Sequence, residues 1–224
     1  MKMVTLRKVP LVSGQTYHIF NKGIDGRITF CDEDDFLRFV QTLRYYIFVS
    51  PPMRLSRYLR LGTLFKQKLD TDMWGEKLVT IICYCVMPNH FHIVLKQEAD
   101  KGILRYIGLV LNSYTRYFNT KNKRVGQLFL DQFKNVLIDN DNQLLHVVRY
   151  VFLNPYSSGL LKKIEEIEKY KYSSFQGVLS GYDPVCKAEN FSSHFGSKDS
   201  LRKFVLDNSD YQKSLKRIRN LVVE

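Results

Sequence analysis

The feature that most constrains this chain is a pair of apolar runs folded back on one short turn. Leu78 to Val86 and His90 to Lys96 flank Met87-Pro88-Asn89. Apolar runs of this length, bounded by turn residues, read as an antiparallel β-hairpin. A hairpin is marginal alone and needs further strands or helices against it. The flanking sequence supplies them. Thr16 to Asn21 alternates, with Tyr17 and Ile19 on one face and His18 and Phe20 on the other, before the turn residues Asn21-Lys22-Gly23 and Asp25-Gly26. Asp32 reads as an N-cap, followed by Phe36, Phe39, Val40, Leu43 and Ile47 on one helical stripe, and Ser50-Pro51-Pro52 ends that helix. Asp100 is expected to cap a second helix whose stripe is Ile103, Ile107, Val110, Leu111, Tyr114 and Phe118. Gln132 to Ile138 reads as a further strand. Asp141 is expected to cap a helix that stops at Asn154, because Pro155 follows.

The order is βαββαβ plus a helix. It predicts an α+β, ferredoxin-like antiparallel sheet with helices on one face and the first and third strands in the centre. Residues 51–77 form a long basic insertion with Arg54, Arg57 and Arg60 spaced by three. Such a connection is functional, mobile or locally folded. Residues 1–156 are read as the main domain. Residues 157–224 are read as a basic, mainly helical C-terminal extension, with helices over Leu160 to Tyr170 and Leu201 to Leu221.

Charge narrows the partners. Lysine and arginine number 34 against 22 acidic residues, a net charge of +12. A polyanion is the first partner to consider: nucleic acid ahead of an anionic membrane surface. No run approaches the ~18 apolar residues of a membrane span, and the N-terminal stretch lacks the apolar core of a secretory leader. The expectation is a cytoplasmic protein, with no membrane association, that joins the nucleoid when bound to DNA. Cys31, Cys83, Cys85 and Cys186 contain no C-x-x-C pair, which excludes a zinc ribbon and suits thiols in a reducing compartment.

Two stretches can carry chemistry. His90 and His92 lie on one face of a strand, with Phe91, Ile93 and Leu95 on the other. Two imidazoles so placed can grip one divalent metal from one side; they can equally be half-buried strand histidines. On the later helix, His146, Tyr150 and Asn154 follow i, i+4, i+8 spacing on one face. Tyr150 and Asn154 can reach one pocket, or Tyr150 can be an ordinary boundary tyrosine.

Taken together, the stretches resemble a known family. Tyr84-Cys85-Val86-Met87-Pro88-Asn89-His90-Phe91-His92-Ile93-Val94-Leu95 resembles the His-hydrophobe-His block of single-tyrosine HUH transposases, in particular the REP-associated tyrosine transposase branch. Arg149-Tyr150-Val151-Phe152-Leu153-Asn154-Pro155 is similar to that branch's Arg-Tyr-Ile-x-x-Asn-Pro block. Tyr17-His18 with Asn21-Lys22-Gly23 resembles its first strand, and Tyr172-Ser173-Ser174-Phe175 stands where relatives carry Trp-Ser-Ser-Tyr. Asn119, Gly126-Gln127-Leu128-Phe129 and Phe133-Lys134 resemble the stretch between the two blocks, and the match spans about residues 15–177.

The resemblance implies a metal-dependent transesterase acting on single-stranded DNA that carries hairpins or palindromic repeats. His90, His92 and Asn154 would be metal ligands for Mg²⁺ or Mn²⁺, and Tyr150 the nucleophile. Asparagine is shorter than the glutamine common in relatives at that position. A phenol has a pKa of about 10, so a nearby cation would be needed to favour the phenolate. Arg116, Lys121, Lys123, Arg124 and Lys134, beside Tyr114 and Tyr117, are the candidates for holding DNA. His18 would face the site or serve a structural role. Relatives act as monomers or homodimers. Two other readings remain: a hairpin-binding protein that keeps the fold without cutting, and an RNA-binding domain of similar topology, whose paired-aromatic signature is not found here.

Overall fold

The computed structural model describes residues 9–63, 66, 75–186, 195–207 and 209. Strands β1 (Thr16–Lys22), β2 (Val79–Met87), β3 (His90–Gln97) and β4 (Lys134–Ile138) form one sheet in the order β2-β3-β1-β4. Every neighbouring pair is antiparallel, and the first and third strands are central, as the βαββαβ order predicts. The fold is α+β with C-terminal helices.

Strand alternation divides the side chains between two cores. Tyr17, Ile19, Phe91, Ile93 and Leu95 point to one face. There they meet Phe39 and Leu43 of α1 (Glu33–Tyr45) and Ile107, Val110 and Tyr114 of the long helix Gly102–Lys121. Cys83, Cys85, Val94 and Ile138 point to the other face, against Val148, Val151 and Phe152 of the helix Asp141–Ser157. A register shift between Ile81 and Cys83 keeps Ile81 and Tyr84 on the first face and both cysteines on the second.

With the short helix α2 (Leu55–Tyr58) between α1 and β2, the two long helices become α3 (Gly102–Lys121) and α4 (Asp141–Ser157). The two helices of the βαββαβ unit, α1 and α3, do lie on one face. The opposite face is covered by α4 together with α5 (Ser174–Ser180) and α6 (Lys198–Leu206), whose Phe175, Val178, Leu201 and Val205 join the second core. The C-terminal section, set apart in the sequence, therefore shares a core with the sheet.

Several local expectations are corrected. Helix α3 is capped by Lys101 in a left-handed conformation (φ 53°), not by Asp100. The Gln97 side chain, reaching from the end of β3, accepts the Ile103 N–H at 3.1 Å. The cap of α4 is Asn140, whose side chain accepts the Gln143 N–H at 2.9 Å, rather than Asp141. Helix α4 also runs through Pro155 to Ser157. Residues 151–157 are all buried, and that packing outweighs the hydrogen bond the proline removes. Leu160 to Tyr170 contains only a 3-10 turn over Ile164–Lys169. Of the helix expected over Leu201 to Leu221, α6 is the described part, and residues beyond 209 lie outside the described residues.

The 51–77 connection is locally folded where it is described. Leu55 is buried, Tyr45 Oη donates to Met53 O at 2.7 Å, and the ends meet where Val49 N–H donates to Glu76 O at 2.8 Å. Arg57 lies in α2 and Arg54 caps it. Residues 64, 65 and 67–74 lie outside the described residues.

The exposed edge of β2 is closed by the Tyr172-Ser173-Ser174-Phe175 stretch. Ser174 Oγ accepts the Tyr84 N–H at 3.0 Å, Val86 N–H donates to Tyr172 O at 2.8 Å, and Tyr170 Oη donates to Val86 O at 2.7 Å. Covering an edge in this way satisfies its backbone groups and blocks pairing with another chain.

Two glycines of α3 have opposite roles. A Cβ on Gly102 would stand 2.2 Å from Leu78 O, whereas one on Gly108 would meet nothing within 4 Å. Gly102→Ala is expected to lower stability by about 1–3 kcal/mol through backbone displacement. Gly108→Ala is expected to raise it by about 0.5–1 kcal/mol through helix propensity. Urea unfolding of the two variants checks both signs.

Candidate active site

The site grows from the central strand pair. The β1–β3 register sets Phe20 opposite His92 and Lys22 opposite His90, and the β1–β4 register sets Phe20 opposite Lys134. Directly paired residues share a face. His18, Phe20, Lys22, His90, His92 and Lys134 therefore all project on the α4 side of the sheet.

Helix α4 brings Tyr150 over these rings. Its ring centroid lies 5.4 Å from that of His92 and 5.8 Å from that of His18, both nearly edge-on. The His90 and His92 rings are 5.2 Å apart and nearly perpendicular. His90, His92 and Tyr150 border one cleft of about 570 Å³, completed by Ile28, Met87, Pro88, Asn89, Ser158, Gly159 and Leu160. None of these lining residues is acidic, so the cleft can receive an anion without like-charge repulsion.

Tautomers follow from the hydrogen bonds. The Asn89 amide Nδ2 donates to Gly26 O, which turns its Oδ1 to His90 Nδ1 at 2.7 Å. An amide oxygen only accepts, so Nδ1 carries the proton and Nε2 bears the lone pair of the neutral His90 ring. His92 Nδ1 lies 2.9 Å from His18 Nε2. When His92 donates there, its own lone pair also falls on Nε2. A ring whose second nitrogen is held in this way is the usual form of a metal-binding histidine. Both imidazoles thus fit a cation approached through Nε2. Among the described residues no cluster of three or more His, Cys, Asp or Glu side chains could hold a metal, so oxygen ligands other than carboxylates would have to complete the shell.

The other expected site residues divide. Asn154, one turn beyond Tyr150, is completely buried and is not among the residues lining the cleft. His146 turns to Arg149, whose guanidinium lies 2.7 Å from His146 Nδ1 and stacks over Phe204 at 4.3 Å. Arg149 thereby ties α6 to the helix that carries Tyr150. Lys121 is paired with Asp32 at 2.6 Å and with buried Asp35 at 2.8 Å, on the α1/α3 side of the sheet. Arg124 holds its own loop, donating to Asn119 Oδ1 at 2.8 Å and to the carbonyl of Gln127. Tyr114 is buried, and its hydroxyl donates to Thr29 O. Arg116 and Lys123 are exposed at the end of α3 and in the turn after it. Of the five basic candidates, Lys134 alone borders this part of the sheet; a second cleft of about 410 Å³ there is lined by Phe20, Asn21, Lys22, Asn89, His90, Leu130, Gln132 and Lys134. Phe20 and Lys22 were not singled out for the site from the sequence, although their parity with His18 on β1 was readable.

No protein-family model and no curated protein sequence matches the chain. The likeness is structural. A solved structure of a REP-associated tyrosine transposase bound to a REP hairpin aligns with 81% of this chain and 90% of its own, with a TM-score of 0.50 and 16% identity. At that identity the likeness is one of fold. Among the described residues no helix is long and apolar enough to cross a membrane.

Burial pushes the pKa of His18 down to about 4 from 6.5. The unfolded chain takes up that proton as pH falls through about 6.5, while the folded chain resists until about 4. The metal-free protein is expected to lose stability as pH falls across that window, by up to about 3 kcal/mol, with no further loss from this group below it. His18→Gln should flatten this part of the profile. Urea midpoints between pH 7.5 and 4 provide the measurement.

Proposed function

We propose that the protein is a transposase-type DNA transesterase that recognises DNA hairpins and cleaves and rejoins a single strand through Tyr150. The observation that carries this reading is the meeting of His90, His92 and Tyr150, from a hairpin and a later helix, around one acid-free cleft. The fold shared with a hairpin-bound tyrosine transposase supports it.

Mg²⁺ or Mn²⁺ held by Nε2 of His90 and His92 would withdraw charge from the scissile phosphate and favour the phenolate. Asn154 would add a carboxamide oxygen once its side chain turned from the core toward the cleft. Asn89 and His18 hold the two rings in orientation from behind. Tyr150 Oη forms a bond to phosphorus while the bond from phosphorus to the 3′-oxygen breaks. The phenolic proton ends on that oxygen. The products are a 5′-phosphotyrosine and a free 3′-hydroxyl, and attack by another 3′-hydroxyl reverses the step. One phosphodiester is exchanged for another, so no nucleoside triphosphate is consumed.

Incubation with single-stranded hairpin DNA and Mg²⁺ or Mn²⁺ should give a covalent adduct that survives denaturing gels. Tyr150→Phe should abolish it, and His92→Ala should reduce it about a hundredfold or more. An adduct formed by Tyr150→Phe would overturn the nucleophile assignment. Tight hairpin binding by the wild type, with no adduct in either metal, would leave a recognition protein rather than an enzyme.

A further inference from the structure

We propose that the 410 Å³ cleft beside His90 is a nucleotide subsite, which seats the residue of the single strand next to the phosphate held at Tyr150. The proposal rests on the strand-transfer reading above and assigns roles that the reading does not need. Three observations carry it.

The first is position. His90 and Asn89 line both clefts, so the two form one path across the sheet with these two residues at the junction. A strand whose phosphate lies against His90 and His92 can send a neighbouring nucleotide along this path.

The second is the surface itself. Helix α4 covers His18 and His92, which are 8% and 6% exposed, but leaves Phe20 half-buried and Lys22, Gln132 and Lys134 exposed. Phe20 is seated by its ring contacts to His18 at 5.1 Å and His92 at 5.6 Å. An aromatic ring fixed on one side and open on the other is a stacking platform for a base of any sequence. The cleft volume lies within the roughly 300–1,000 Å³ typical of small-ligand pockets.

The third is charge. Neither Lys22 nor Lys134 has an ion-pair partner among the described residues, unlike Lys121. No acidic side chain lines the cleft; the adjacent Asp131 is hydrogen-bonded to Gln127. Two uncompensated ammonium groups flanking an aromatic platform match a base with its flanking phosphates. The Gln132 amide, with both donor and acceptor, faces the same space and can meet a base edge.

The test uses full-length protein carrying Tyr150→Phe, so that binding is read without cleavage. The probe is a DNA hairpin with a single-stranded flank in which 2-aminopurine is moved one position at a time. The expected result is quenching at one flank position. Phe20→Leu should release that quenching and weaken binding about tenfold, whereas Phe20→Trp should retain both signals even if the leucine variant folds poorly. Lys22→Gln and Lys134→Gln should each reduce the slope of log affinity against log salt by about 0.7. Unchanged quenching and affinity in folded Phe20→Leu, or unchanged salt slopes in both lysine variants, would overturn the subsite. The two readings separate: adduct formation by the wild type with an indifferent Phe20 removes the subsite alone. Quenching that depends on Phe20, in a protein that forms no adduct, removes the chemistry alone.

Discussion

The register between β1 and β3 is the constraint on which the rest of the structure depends. It places Phe20 against His92 and Lys22 against His90, and it brings His18 within hydrogen-bond distance of His92. Side chains alternate along a strand, so a slip of one residue would exchange Tyr17 and Ile19 with His18 and Phe20. The first core would then receive an imidazole, and the site would lose its floor. The apolar burial of Tyr17, Ile19, Phe91, Ile93 and Leu95 thus fixes the polar face as a consequence. The histidines need no separate device to point the same way.

A second constraint is the anchoring of α4. Its inner side packs Val148, Val151 and Phe152 on the sheet, and its outer side is held by Arg149 stacked on Phe204 of α6. Tyr150 lies between these attachments. A helix gripped on two sides holds its tyrosine at a set distance from the histidines, which positioned attack requires. The C-terminal helices are therefore a buttress for the residue that would react. The Tyr172-Ser173-Ser174-Phe175 stretch has a comparable structural role, since it completes the β2 edge rather than entering the cleft.

The strong positive charge is not evenly available. Lys121 is neutralised by two aspartates, and Arg124 keeps its charge but spends its donors on Asn119 and its own loop. Among the described residues Lys22 and Lys134 have no acidic partner, and both border the open part of the sheet. Proximity in sequence to the basic turn 121–124 suggested one electrostatic surface. Three-dimensional pairing moves part of it to the other side of the strands. The same distinction separates buried aromatics such as Tyr114 from the half-exposed ring of Phe20.

What the sequence determined by itself is local and periodic. The alternation of β1 and β3, the stripes of α1 and α3 and the order of elements are properties of short windows. They were enough to place the first and third strands in the centre and to set His90 and His92 on one face. Tyr150 was legible through its resemblance to a family motif, not through spacing. The tertiary structure decided what depends on partners distant in the chain. The passage of α4 through Pro155 follows from burial of residues 151–157. The bond from the Ile103 N–H of α3 to the Gln97 side chain needs the end of a strand beside the start of a helix. The pairing of Lys121 with Asp32 and Asp35 and the burial of Asn154 arise from packing between separate elements. Periodicity fixes which face a side chain takes; only the folded chain fixes what lies opposite that face.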